Sequence, residues 1–335
     1  MDKFYGTLAL VYFLFSFYGF SQEFKFAGRQ CSLQVATAGN SIIRITVSGA
    51  YEQPLKNVSR CPVLEEVVYK QVNLSKDQYR FQASNENITI RFMESSSTLS
   101  IEDNEGKAVQ KIQFDETTER IFFETGDKGL FGLGQEGMAY NRENSFIKME
   151  PGTFTGEIEL FGSRIPIPFL ISPEGWGLFV HQPYYPKFDL RSPSASFLVQ
   201  PTDSLFADFF LIFHEDPKKI LSEYHRLTGS SPLPPKWSLG YMQSHRTLAG
   251  PEEVLQVATK LREKKLPCDA LIYLGTGYTP SGWNRGHGSF EFNQEVFPEP
   301  KKQLNQLKSM HFKTVFHVLR PPQNLHGTFN DTKVL

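Results

Sequence analysis

Two adjoining stretches, Asp216-Pro-Lys-Lys-Ile-Leu-Ser-Glu-Tyr-His-Arg-Leu-Thr-Gly229 and Pro232-Leu-Pro-Pro-Lys-Trp-Ser-Leu-Gly-Tyr-Met-Gln-Ser244, mark the point where the pattern of the chain changes. Asp216 before Pro217 has the form of an N-cap followed by proline at the first helical position. Ile220, Leu221, Tyr224 and Leu227 then recur at helical spacing until Gly229, which predicts a connecting helix. Pro232, Pro234 and Pro235 form a stiff linker, and the domain boundary is placed here, between residues 22–230 and 231–335. Beyond it the chain reads as strand (Ser238–Gln243), helix (Pro251–Lys265), strand (Asp269–Leu274), long loop, helix (Glu299–Met310) and strand (Lys313–Leu319). Strand and helix alternating at this spacing predict parallel βαβ units. A doubly wound sheet and a (β/α)8 barrel both begin this way.

Upstream, from Gln30 to about Phe213, apolar residues alternate. Ile43, Ile45 and Val47 fall on one face of one run, and Ile88, Ile90 and Phe92 on one face of another. Turn residues separate the runs, as in Ala38-Gly39-Asn40 and Asp103-Asn-Glu-Gly106. Many short strands punctuated in this way predict an antiparallel β-sandwich. Pro166 and Pro168 donate no ladder hydrogen bonds, so Ile165–Phe169 is expected as an edge strand or an ordered loop.

The chain has 335 residues, with 35 Lys and Arg against 36 Asp and Glu, a net charge of −1. That balance excludes a partner held by a basic surface, nucleic acid above all, and points to a neutral one. The 40% of hydrophobic residues supply material for sizeable cores. Three cysteines are too few for a disulfide scaffold and lack zinc-site spacing; Cys31 and Cys61 form a pair or stay buried thiols. Neither the cysteines nor the histidines form a metal set, and no metal or cofactor is expected. Gly275-Thr276-Gly277 follows a strand without the third glycine of a dinucleotide loop, and no Gly-x-Ser-x-Gly elbow occurs.

Residues 1–21 read as an export signal: Lys3, an apolar run from Thr7 to Phe20, and small residues at Gly19 and Ser21. Cleavage after Ser21 gives a secreted or periplasmic protein. An uncleaved run approaches the roughly 18 apolar residues that span a bilayer, the one way in which this chain would meet a membrane. Asn57, Asn73, Asn87 and Asn330 each begin an Asn-x-Ser/Thr triplet.

The entry segment 216–244 resembles the approach to the catalytic barrel of glycoside hydrolase family 31. Phe292-Asn293, Val296-Phe-Pro-Glu-Pro-Lys-Lys302 and Phe312-Lys-Thr-Val-Phe316 resemble the landmarks that follow it. Phe131-Gly-Leu-Gly-Gln-Glu136 resembles a signature of the family's N-terminal sandwich, and Ile165–Phe169 its loop over the catalytic cleft. The resemblance spans nearly the whole chain after the signal. It implies a galactose mutarotase-like β-sandwich followed by a (β/α)8 TIM barrel, and a retaining α-glycosidase or transglycosidase with one carboxylate nucleophile and one acid/base carboxyl. An oligosaccharide or glycoside is the implied substrate.

Two departures from the family qualify this expectation. Members place an Asp-x-Asp pair after the second barrel strand, where this chain has Leu274-Gly-Thr-Gly-Tyr278 with no carboxylate. The nucleophile and acid/base follow the fourth and sixth strands, whereas Ser238 to Leu335 is 98 residues and a barrel takes about 250. The barrel is therefore expected to be incomplete, and no catalytic residue is assigned within it. Trp283, Asn284, Arg285 and His287, in the loop after the second strand, and His317 and Arg320, near the end of the third, are the candidate sugar contacts. Trp283 offers a face for stacking, and Asn284, Arg285 and His287 hydrogen bonds to hydroxyls; His317 and Arg320 line the pocket, the arginine placed to pair with a carboxylate or a charged sugar. Glu291 and Glu295 lie near the same mouth, and Asp269 at the opposite end of its strand. The alternative is a non-catalytic carbohydrate-binding protein built on the sandwich.

Overall fold

The strand Leu205-Phe-Ala-Asp-Phe-Phe-Leu-Ile-Phe213 is buried at every position. A run of this kind has to be covered on both faces, and in the computed structural model it is. The described residues are 21–50, 64–65, 67–74, 79–83, 86–135, 139–150, 165–182, 185–191, 194–201, 205–245, 249–273 and 292–316. Contacts divide the chain into two units at Ser230/Ser231.

The first unit is a sandwich of two antiparallel sheets. One has the strand order 21–26, 29–38, 42–49, 205–213, 176–180, 169–172, 131–132, with the short strand 70–71 added beside 29–38. The other runs 146–148, 187–189, 194–198, 120–124, 108–114, 98–102, 86–93, 79–83. Alternation sets the shared core: Ile43, Ile45 and Val47 from one sheet meet Ile88, Ile90, Leu99, Ile101 and Ile112 from the other. The Asp103–Gly106 turn forms as its residues dictate. Asp103 Oδ1 accepts from the amides of Glu105 and Lys107, and Gly106 takes φ 77°.

The predicted connecting helix spans Pro217–Thr228, with the Asp216 carboxylate accepting from the Lys218 amide at 2.9 Å. It covers the outer face of the first sheet. Ile220 and Leu227 are fully buried against Phe210, Ile212 and Phe179, each contributing about 1.5–3 kcal/mol. Tyr224 stacks on Phe169 with ring centroids 4.0 Å apart. This helix, with Leu64, Val67 and Tyr69, is why the strand 205–213 loses its alternation: Phe209 and Leu211 face the sandwich core, while Phe210 and Ile212 face the helix.

The second unit holds three parallel strands, Met242–His245, Ala270–Tyr273 and Lys313–Phe316, side by side in chain order. The first begins later than its sequence predicts. Lys236–Leu239 instead forms a 3₁₀ turn after Pro235, with Ser238 N bonded to Pro235 O and Gly240 N to Trp237 O. Helices Pro251–Glu263 and Pro300–Ser309 both pack on one face of the sheet, where Val254, Ala258 and Leu307 enclose Leu271 and Tyr273. Consecutive strand order with helices on a single face is barrel-type winding. Among the described residues no helix is long and apolar enough to cross a membrane.

Candidate active site

In parallel α/β units the ligand end is the C-terminal end of the strands, because the loops that follow the strands converge there. Here that end is set by His245, Tyr273 and Phe316, which are adjacent in register. Tyr273 is buried among Phe292, Phe297 and Phe316, at centroid distances of 6.4, 6.1 and 5.1 Å. Burial pushes its phenol well above the usual tyrosine range, so it stays protonated. These rings extend the core between sheet and helices to the C-terminal end of the strands. The candidate contacts Trp283, Asn284, Arg285, His287, His317 and Arg320 lie outside the described residues.

The carboxylates near the strands separate by position. Asp269 stands at the N-terminal end, its amide bonded to Tyr241 O at 2.8 Å and its carbonyl accepting from Lys313 N at 2.9 Å. Its side chain occupies the space that Gly240 leaves open: a Cβ at Gly240 would lie 1.8 Å from Asp269 Oδ2. Asp269 thus ties the start of all three strands on the face away from the ligand end. Glu295 is exposed, in a turn where its amide bonds Asn293 Oδ1 at 3.0 Å. Glu291 and Leu274–Tyr278 lie outside the described residues. No group of three metal-binding side chains occurs among the described residues.

Within the sandwich, the two signature segments meet. Leu133 N bonds Phe169 O at 2.8 Å, and Gln135 and Ile165 exchange backbone bonds at 2.9 Å. The approach requires glycine: Gly132 has φ 113° and Gly134 φ 80°, and a Cβ on either would lie 2.3 Å from Phe169 O or 2.0 Å from Ile165 O. Arg142 holds the turn from the other side, donating Nε to Gly132 O at 3.0 Å and an Nη2 hydrogen to Gly134 O at 3.1 Å. Pro166 and Pro168 donate nothing to the ladder, although Pro168 O accepts from the Val180 amide at 2.9 Å, and Ile165 and Ile167 are exposed. The segment is an ordered loop, the second of the two forms its prolines allow. Nothing in the sequence pattern singled out Arg142, because its partners are carbonyls.

Residues 231–328 match the TIM-barrel domain of glycosyl hydrolases family 31. Over that stretch the chain matches glycoside hydrolase family 31; the match covers 98 of its 335 residues. Among the relatives, an alpha-xylosidase of Saccharolobus solfataricus is 25% identical over 238 residues, 68% of this chain and 32% of the relative. Alpha-glucosidase 2 of Bacillus thermoamyloliquefaciens is 32% identical over 139 residues, 42% of this chain and 17% of the relative. A Flavobacterium johnsoniae GH31 dextranase solved with isomaltotriose superposes with a TM-score of 0.67 at 23% identity, covering 86% of this chain and 36% of the dextranase. The chain thus spans about a third or less of the length of these proteins, and the superposition speaks for the fold.

Proposed function

We propose that this chain supplies the sandwich and the opening of the catalytic barrel of an exported retaining α-glycosidase acting on an oligosaccharide or glycoside. The observation that carries this reading is the family match over 231–328, laid on three parallel strands with both helices on one face. In a retaining enzyme one carboxylate attacks the anomeric carbon while the other carboxyl, about 5–5.5 Å away, protonates the leaving oxygen and later activates water. Both carboxyls are assigned to barrel strands later than the third. The barrel within the 335 residues is incomplete in this reading, and the chain provides sugar contacts only, from Trp283, Asn284, Arg285, His287, His317 and Arg320.

With no carboxylate in Leu274–Tyr278, the terminal sugar is gripped differently from an enzyme that uses Asp-x-Asp there. Relatives named as alpha-xylosidase, alpha-glucosidase and dextranase keep xylose and glucose in the field beside galactose and acidic sugars. Export rests on residues 1–21 and gives a secreted or periplasmic location. The test is hydrolysis of aryl α-glucosides and α-xylosides. The purified 335-residue chain is expected to release nothing, and the chain continued through an eighth strand to release sugar with retained configuration. Turnover by the 335 residues overturns the assignment of the carboxyls, and inverted product overturns the retaining mechanism.

A further inference from the structure

Between the helix Pro217–Thr228 and the hairpin turn that joins the strands 29–38 and 42–49, the sandwich leaves a crevice of about 430 Å³. The turn residues 39–41 line one side, His214 the end, and Lys219, Glu223 and Arg226 the other side. The last three are four and three residues apart, so they share one face of the helix. A crevice of this volume holds a small molecule or ion.

The walls are set by contacts within the sandwich. Gly39 takes φ 61°, and a Cβ on it would lie 2.9 Å from Arg226 Nη2, so the guanidinium rests directly on the turn. Arg226 donates Nη2 to Ala38 O at 3.1 Å, and Nε and Nη2 to Glu223 Oε2 at 2.9 and 2.7 Å. The carboxylate of the lining is thus already engaged. His214 Nδ1 accepts from the Asp216 amide at 2.9 Å, which leaves Nε2 to carry the ring hydrogen as a donor. The Asp216 carboxylate itself is turned to the Lys218 amide. Ser41 is more than nine-tenths buried, and its carbonyl accepts from Phe213 N at 2.8 Å. Its hydroxyl, at the crevice, has no hydrogen-bond partner among the described residues.

Charge and donor count select the ligand class. Lys219 and Arg226 against Glu223 give the lining a net positive charge, and Lys219 forms no ion pair among the described residues. The groups left free are donors: the Ser41 hydroxyl, the Asn40 amide, His214 Nε2 and the Lys219 ammonium. A cation is repelled by Lys219 and Arg226. A neutral polyol brings hydroxyls that need acceptors, and the one carboxylate is taken. An oxyanion accepts from every free donor, and its bond from an ammonium is of the strong, charge-assisted kind. We propose that this crevice is an oxyanion site of the sandwich, taking a phosphate group, either the free ion or a small phosphate ester. The buried Ser41 hydroxyl without a partner marks it as a site, and the proposal stands independently of the glycosidase reading.

Calorimetric titration of the full chain with inorganic phosphate and with methyl phosphate tests it, comparing the parent with Lys219→Ala, Ser41→Ala and Lys218→Ala. Lys218 is exposed on the same helical turn and does not line the crevice, so its loss removes an equal charge from the surface and nothing from the site. The expected result is saturable binding weakened about tenfold by Lys219→Ala, by a smaller factor by Ser41→Ala, and unchanged by Lys218→Ala. Circular dichroism checks that the variants keep the fold, and the comparison of the two exposed lysines decides the matter should Ser41→Ala lose it. Tighter binding of methyl phosphate assigns the site to an ester, and tighter binding of inorganic phosphate to the free ion; both support the proposal. Equal weakening by Lys218→Ala and Lys219→Ala is the mark of diffuse surface charge and overturns it. Absence of saturable binding to either probe overturns it as well, and both failures leave the glycosidase reading to its own test by hydrolysis.

Discussion

His181 Nδ1 lies 2.7 Å from Asp208 Oδ2, with both side chains buried in the outer layer of the first sheet. The same carboxylate takes Arg44 Nε at 2.9 Å and Nη2 at 2.8 Å, and the hydroxyl of Thr46 at 3.2 Å. Arg44 in turn lies over the rings of Tyr69 and Phe210, 5.1 and 5.3 Å from their centroids. Burial pushes the Asp208 carboxyl up, and the hydrogen bonds from His181 and Arg44 outweigh it, holding the carboxyl below its ordinary value. Removing one partner of a buried pair strands the other charge, so Asp208→Ala is expected to cost about 3–5 kcal/mol at neutral pH. Urea denaturation followed by the fluorescence of the buried Trp176 measures it.

The sign of the Asp208 shift also fixes a pH dependence. A carboxyl depressed on folding stabilises above its unfolded pKa of about 3.9, and that contribution drains away as pH falls from there through the folded value. The stability gap between the parent and Asp208→Asn should therefore narrow as pH falls below about 4. A gap that widens below that pH would contradict the ionised carboxylate.

Gly134 and Gly106 both hold positive φ, 80° and 77°, but only Gly134 is pressed by backbone. A methyl at Gly134 meets Ile165 O at 2.0 Å, whereas at Gly106 it meets nothing within 4 Å. Gly106→Ala is expected to cost about 1 kcal/mol, the conformational term alone. Gly134→Ala should cost several times that and open the Ile165–Phe169 loop to limited proteolysis. Equal stability losses and equal cleavage rates in the two variants would remove the clasp between the two segments.

The sandwich strands were legible because each buries one face, which writes itself into the sequence as alternation. The strand 205–213 broke that rule: its second covering, the helix 217–228, comes later in the chain, and only three-dimensional packing turns Phe210 and Ile212 toward it. Asp208, a lone charge in that apolar run, was the one visible sign of a buried polar cluster, and its partners Arg44 and His181 stand far away in sequence. Strand and helix order in the second unit left two windings open, and the common side of Val254, Ala258 and Leu307 favours the barrel. The candidate sugar contacts lie in segments without sequence periodicity, so residue type and resemblance were the available signals.

Cys31 is buried, its Sγ 3.8 Å from Phe26 O, and burial pushes its thiol up to about 11. The reactive thiolate is therefore scarce at ordinary pH as well as shielded. Iodoacetamide at pH 8 should leave Cys31 unmodified in the native protein and alkylate it in urea, as read by peptide mass spectrometry. Rapid native labelling would show that the strand 29–38 opens or that the thiol is exposed. Cys61 lies outside the described residues.

Asp269 and Gly240 supply the sharpest test of whether a carboxylate at the base of the barrel is structural. The Asp269 side chain fills the place of the missing Gly240 Cβ, 1.8 Å from where it would stand, while its backbone bonds Tyr241 and Lys313. Gly240→Ala in the parent must expel that side chain from the junction of the three strands. In an Asp269→Ala background the obstruction is gone and the same change should be far milder. The two substitutions are thus expected to couple by about 1–3 kcal/mol in a double-mutant cycle. In a chain continued through the full barrel, Asp269→Ala should lower stability and leave kcat per folded molecule within a few-fold of the parent, because this end of a parallel barrel serves stability and the opposite end chemistry. Independent, additive effects on stability, together with a collapse of kcat at unchanged stability, would instead place Asp269 in the reaction.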